Sequence, residues 1–252
     1  MPKAHSCRQE WAFFNLHTAK LVIIRVISCT FAGKGKIVRK ERNNFAQCFE
    51  DLCAGEELIM DYLLKLSEEN QTKAWELIRQ LDIVDIWKSV GAEVHLVGSL
   101  KMGLLMKHKD IDFHIYSSPL LLSDSFTAMA KLAENPSVKR VTYANLLHTE
   151  ESCIEWHAWC DGEDGEEWQV DMIHLVKGSR YDGYFEGMAN RVLEMLTSET
   201  KQAILRLKYE TPESEKVMGV EYYSAVLQDG VRTYPEFVEW RKRHPQNGII
   251  LL

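Results

Sequence analysis

No two cysteines of this 252-residue chain stand in a Cys-x-x-Cys spacing; the six are Cys7, Cys29, Cys48, Cys53, Cys153 and Cys160. Neither a zinc site nor a disulfide framework is supported, and reduced, buried thiols are expected. Cys153 and Cys160 lie seven apart on one expected strand and so face opposite ways. Long apolar runs are missing as well. The stretch Leu21–Cys29, LVIIRVISC, resembles a short signal-peptide core, and Val26–Cys29 is loosely lipobox-like. Arg25 breaks it, and nine residues fall far short of the roughly 20 that a membrane helix needs. A cytoplasmic protein with no membrane partner is the expectation. Positive charge is scarce beyond the first segment. Residues 1–45 carry nine basic and two acidic residues, and the formal charge of −7 therefore leaves −14 on the rest. Such a body repels phosphate backbones, so a long nucleic acid is not expected as a partner, whereas a nucleotide arriving with magnesium is compatible. There are no repeats and no low-complexity tracts.

What is present begins near Phe45. Residues 1–45 read as a basic, poorly ordered extension. Apolar residues at helical spacing then run over Phe45–Leu66 and Lys73–Trp87, with Ser67 as a cap between two helices. Gly91 ends this part and the period changes to two. Glu93–Val97, Asp110–Tyr116, Val138–Leu147, Ser152–Cys160 and Glu166–Leu175 read as strands, with a helix capped by Ser123 or Asp124 inserted after the second. Helices return over Tyr184–Leu196, Glu199–Tyr209, Glu213–Leu227 and Pro235–Arg243. The order is helices, a mixed α/β centre, then helices.

The chemistry concentrates in LVGSLKMGLLMKHKDIDFHIYS, Leu96–Ser117. On a strand, Asp110, Asp112 and His114 share one face, while Ile111, Phe113 and Ile115 share the other, which must be the core face. Carboxylates at i and i+2 start about 6–7 Å apart, close enough to converge on a magnesium pair that clamps a phosphoryl or nucleotidyl displacement. Upstream, Gly98-Ser99 follows an apolar strand. Backbone N–H groups there can cradle an anion, glycine lets phosphate approach, and the Ser99 hydroxyl adds a donor.

Gly98-Ser99, then Gly103, then Asp110-Ile111-Asp112 resembles, in order and spacing, the nucleotidyltransferase superfamily with the polymerase-beta-like fold. The resemblance covers about residues 93–176. It implies an α+β fold, a mixed sheet core flanked by N-terminal and C-terminal helices, with residues 46–177 as core plus leading helices and 178–252 as a helical region. It implies a third carboxylate on a later strand, best matched by Asp171 in WQVDMIHL, with Glu155 the competitor on the neighbouring strand. Asp110, Asp112 and Asp171 would then be catalytic and would hold Mg2+ or Mn2+. Gly98 and Ser99 would hold the triphosphate of ATP or another nucleoside triphosphate. Where relatives carry Arg before the second glycine and Ser before the first Asp, this chain has Met102 and Lys109, which leaves Lys101 as a substitute cation. The implied reaction moves a nucleoside monophosphate to a hydroxyl acceptor. The acidic body favours a small molecule, a cationic one for example; the alternatives are a protein hydroxyl, as in antitoxin-type relatives, and a degenerate binding module.

Other polar and aromatic residues read more plainly. His95 and His174 fit core positions, and His114 is either a tuner of the two aspartates or a bystander. Trp156, Trp159 and Trp168 suit cross-strand packing, with base stacking as the alternative. Lys177 and Arg180 are phosphate contacts or solvated loop residues. Tyr222 and Tyr223 read as core.

Overall fold

The computed structural model describes residues 39–163 and 165–245. The chain divides after Gly55 into two units, and the sheet and the site belong to the second. The basic extension expected over residues 1–45 lies outside the described residues as far as residue 38; the remainder enters helix α1, Arg39–Leu81.

That helix corrects one expectation. Ser67 does not cap a break between two helices, because the helix runs through it. Ser67 is buried, and its Oγ donates to the Leu105 carbonyl at 2.8 Å, while Asn70 Nδ2 donates to Met106 O at 2.8 Å. A short polar side chain that resembles a cap is instead used to satisfy the carbonyls of the loop leading to the aspartates. The helix ends where Asp82 adopts a left-handed conformation (φ 53°), and α2, Ile83–Lys88, follows.

The strands fall where the alternation placed them, shifted by no more than two residues at any end: β1 Glu93–Val97, β2 Asp110–Ser117, β3 Val138–Asn145, β4 Cys153–Asp161 and β5 Glu167–Val176. They form one mixed sheet in the order β1-β2-β5-β4-β3, with β2 and β5 parallel and the other neighbours antiparallel. The fold is therefore α+β. Ile111, Phe113 and Ile115 of β2, Val170 and Met172 of β5, and Ile154, Trp156 and Ala158 of β4 form the apolar face. It packs on α2 and on α4, Leu122–Ala133, through Trp87, Met129 and Leu132. No side-chain cap starts α4, whose preceding residue is Leu121 rather than Ser123 or Asp124. Cys153 and Cys160 are both buried free thiols. His174 is buried, held by Ser117 Oγ (2.8 Å) and Ser125 Oγ (3.1 Å), whereas His95 is exposed on β1 and is not a core residue.

The later helices are α5 Tyr184–Met195, α6 Ser198–Glu210, α7 Gly219–Tyr223 with a π-turn continuing to Gln228, and α8 Tyr234–Arg243, and Phe185 of α5 packs on His114 of the opposite face of β2. Their apolar residues join Leu63, Met102, Leu104 and Met106 in a second core. The helix expected from Glu213 begins only at Gly219. Arg241 explains the delay: its guanidinium donates to Glu215 (2.8 Å), Glu221 (3.0 Å) and the Lys216 carbonyl, drawing residues 213–218 out along α8. Among the described residues no helix is long and apolar enough to cross a membrane.

Candidate active site

Between these two cores lies a cavity of about 460 Å³, within the size range of small-molecule sites. Gly98, Ser99, Asp110, Asp112, His114 and Asp171 line its sheet side, and Lys208, Met218, Gly219, Tyr222 and Tyr223 its helical side.

Register places the carboxylates. In the parallel pair β2–β5, Asp112 stands directly opposite Asp171 and Asp110 opposite Gln169, so all three aspartates leave the same face of adjacent strands. Glu155 is one strand further away, on β4, and His157 is the residue of β4 opposite Asp171. Asp171 is thus the third carboxylate of the cavity.

Gly98 explains how Asp112 fits. Its φ is +67°, and an added Cβ would lie 1.8 Å from Asp112 Oδ2 and 2.9 Å from Asp112 Cβ. The turn into α3, Gly98–Lys101, therefore presses on the carboxylate, and only a residue with no side chain and free access to positive φ satisfies both demands.

The electrostatics follow from crowding. Burial first, then Asp171 and Asp110, push the Asp112 carboxyl up to about 7. Asp110, at the more open end of the strand, is also raised, by loss of water and then by Asp171, with His108 and Lys208 opposing. Three like charges in one pocket disfavour ionisation unless a cation joins them. Asp171 is partly satisfied within the protein: its Oδ1 accepts from His157 Nδ1 at 2.6 Å and from Gln169 Nε2 at 2.8 Å. Among the described residues no three His, Cys, Asp or Glu side chains are already gathered into a metal cage, in keeping with Asp171 turned toward these donors. The set of hard carboxylate oxygens nonetheless suits Mg2+, which takes few protein ligands and completes its shell with water and phosphate.

Ser99 does not stand alone. Lys208 Nζ donates to its Oγ at 2.7 Å and to Leu104 O at 3.0 Å, and Tyr223 OH lies 3.0 Å from the same Oγ. The Tyr223 ring folds over Gly219, where an added Cβ would meet its hydroxyl at 3.0 Å. Lys208 and Tyr223 escape a reading of the sequence, because they stand 109 and 124 residues from Ser99. A lysine on an amphipathic helix and a tyrosine among apolar neighbours carry no local signal. Lys101 was the expected cation, but it comes off α3 next to buried Leu100, is exposed, and does not line the cavity. His114 does line it. Burial and then His95 hold its imidazole down at about 4, and its Nδ1 lies 3.4 Å from Tyr116 OH, which donates to Glu186. Lys177 pairs with Glu93, outside the cavity, and Lys109 with Glu166. Tyr222 packs as expected, stacked on Phe237 at 4.8 Å.

No family model matches the chain, and no curated protein matches it. Solved structures do. A structure of Cid1 described by its RNA terminal uridylyl transferase activity is similar at TM-score 0.50 and 15% identity, over 67% of this chain and 53% of that one. Cid1 poly(U) polymerase with MgGTP bound matches at TM-score 0.48 and 15% identity, over 67% and 55%. A cytoplasmic RNA terminal U-transferase matches at 0.43 and 16%, over 66% and 53%. The chain spans about half the length of these proteins. The first likeness shows that the fold is shared with that Cid1 structure.

Proposed function

We propose that this chain transfers a nucleoside monophosphate from a nucleoside triphosphate to a hydroxyl at the 3′ end of an RNA strand, releasing pyrophosphate. The observation that carries this reading is the register of Asp112 against Asp171 on parallel neighbours, facing a Gly-Ser turn that leaves no room for a side chain. Asp110 and Asp112 would hold Mg2+ or Mn2+ together with Asp171. When bound, the metal neutralises and clamps the phosphate oxygens of an in-line displacement.

The chain's own residues divide the remaining work. Gly98 and the N–H groups of the turn offer an unobstructed approach for triphosphate oxygens, and Ser99 supplies a hydroxyl already oriented by Lys208. Lys208 brings the positive charge expected of Lys101, directly beside that hydroxyl. Asp171, which pairs with His157 of β4, would orient the acceptor hydroxyl and accept its proton. Residues 46–177 are read as the transfer core with its leading helices and 178–252 as the helical region, whose Lys208 and Tyr223 stand on the triphosphate side. Free thiols at Cys153 and Cys160 suit the cytoplasm.

The small-molecule acceptor expected from the acidic body gives way here to RNA. The support is the fold shared with a protein described as an RNA terminal uridylyl transferase. Net charge of the whole body says less than the surface beside the site. The test is incubation with each α-labelled nucleoside triphosphate, magnesium and a single-stranded RNA, for wild type and Asp112→Asn. Label should extend the RNA in the wild type alone. Label appearing only on small hydroxyl compounds would restore the small-molecule acceptor, and no pyrophosphate with any acceptor would leave a binding module.

A further inference from the structure

Beyond Asp171 the sheet stays open on the site side. On β4, Glu155, His157 and Trp159 alternate with buried Ile154, Trp156 and Ala158, so they face the same way as the aspartates. Pairing sets His157 opposite Asp171, and Trp159 between Gln169 of β5 and Arg140 of β3. Arg140 and Thr142 are exposed, and His157 and Trp159 half-buried. The result is a continuous row: the Asp171 carboxylate, His157 at 2.6 Å, the Trp159 ring at 6.2 Å from the imidazole, and the Arg140 guanidinium at 3.5 Å from the Trp159 centroid.

Trp159 and Arg140 are unlike the rest of the sheet in one respect. Trp156 and Trp168 are buried in the core, where cross-strand packing accounts for them, but Trp159 is not. Arg140 makes no ion pair or hydrogen bond among the described residues; its guanidinium lies over the Trp159 ring. In a body carrying so many carboxylates, an arginine with no acidic partner is a standing site for an anion. A planar aromatic capped by a guanidinium, next to an unpaired positive charge, is the combination that holds single-stranded nucleic acid: bases stack on the planes and phosphates pair with the charge. From β5 to β3 is two strand spacings, about 10 Å, which places the row within one or two nucleotides of Asp171.

We propose that the open face of β4 and β3 is the track for the acceptor strand, with Trp159 and Arg140 as the stacking station for the nucleotides behind the 3′ end. This rests on the nucleotidyl-transfer reading above and assigns its acceptor side. A small cationic acceptor would be repelled by Arg140. The test uses the full chain with Mg2+, a nucleoside triphosphate and a 5′-labelled single-stranded oligouridylate, comparing wild type, Trp159→Leu, Arg140→Gln and Arg140→Glu. Each variant should raise the KM for the oligonucleotide about tenfold, with Arg140→Glu the most severe. The thermal stabilisation by Mg2+ and nucleoside triphosphate alone should persist in all, which shows that the fold and the aspartates are intact. If the wild type extends the RNA and the variants keep its KM, the track is elsewhere while the transfer reading stands. If the wild type extends no RNA, both fall. If the wild type is a dimer that Arg140→Glu dissociates without affecting KM, the β3 edge is a seam between copies and not a track.

Discussion

Gly98→Ala tests the packing on which the site depends. The substitution adds one methyl where φ is +67° and where the new atom would lie 1.8 Å from Asp112 Oδ2, 2.6 Å from Cγ and 2.9 Å from Cβ. The left-handed backbone alone costs an alanine about 1–2 kcal/mol. The carboxylate oxygen can swing aside, but Asp112 Cβ is fixed by strand β2, so the turn and the strand must also part by a fraction of an ångström. Overpacking of that kind adds about 1–3 kcal/mol, for a total of about 2–5 kcal/mol. The two parts separate in a double-mutant cycle. In an Asp112→Gly background the clash disappears and only the backbone cost of about 1–2 kcal/mol remains, so the coupling energy should be about 2 kcal/mol. Urea unfolding of the four proteins without metal measures it. Equal cost of Gly98→Ala in both backgrounds would refute the contact, and with it the argument that the Gly-Ser turn is shaped by the aspartate.

Asp112→Asn should stabilise the metal-free protein at pH 8: with its carboxyl raised to about 7, Asp112 contributes stability below its unfolded value that is lost as pH rises through 7. Asparagine removes that loss, on the order of 1–3 kcal/mol after relaxation, and should also abolish stabilisation by Mg2+ with nucleotide in a thermal melt. Buried His174, held down to about 4, works in the opposite sense: the unfolded chain takes up its proton near 6.5 and the folded one does not, so stability falls as pH drops from 6.5 to 4. His174→Gln should flatten the urea midpoint across that window. Lys208→Met should raise the KM for the nucleoside triphosphate at least tenfold while leaving the fold in place by circular dichroism; an unchanged KM would remove Lys208 from the triphosphate side.

Much of this architecture was legible beforehand because its causes are local. The alternation of Ile111, Phe113 and Ile115 with Asp110, Asp112 and His114 marked a strand with its core face on the apolar set, and β2 is that strand, though His114 and Tyr116 on its other face are buried as well. The antiparallel return that pairs Val97 with Asp112 is a finding of the structure and was not read from the spacing. Ser67 was misread for an equally local reason. Serine before Glu-Glu-Asn has the composition of a cap, and nothing nearby reveals that Leu105, 38 residues on, needs a donor.

Sequence alone therefore determined the strands, the shared face of Asp110 and Asp112, and the Gly-Ser turn that precedes them, since periodicity and turn chemistry act over a few residues, while His95 shows that the face of a side chain was not always fixed by them. Tertiary structure decided what lies across from them. The insertion of β5 between β2 and β4 put Asp171 against Asp112 and His157 against Asp171, and the docking of α6 and α7 put Lys208 and Tyr223 on Ser99. Those contacts join positions from 14 to 124 residues apart. Strand order and helix docking are settled by burying two apolar faces at once, a condition that no single segment states.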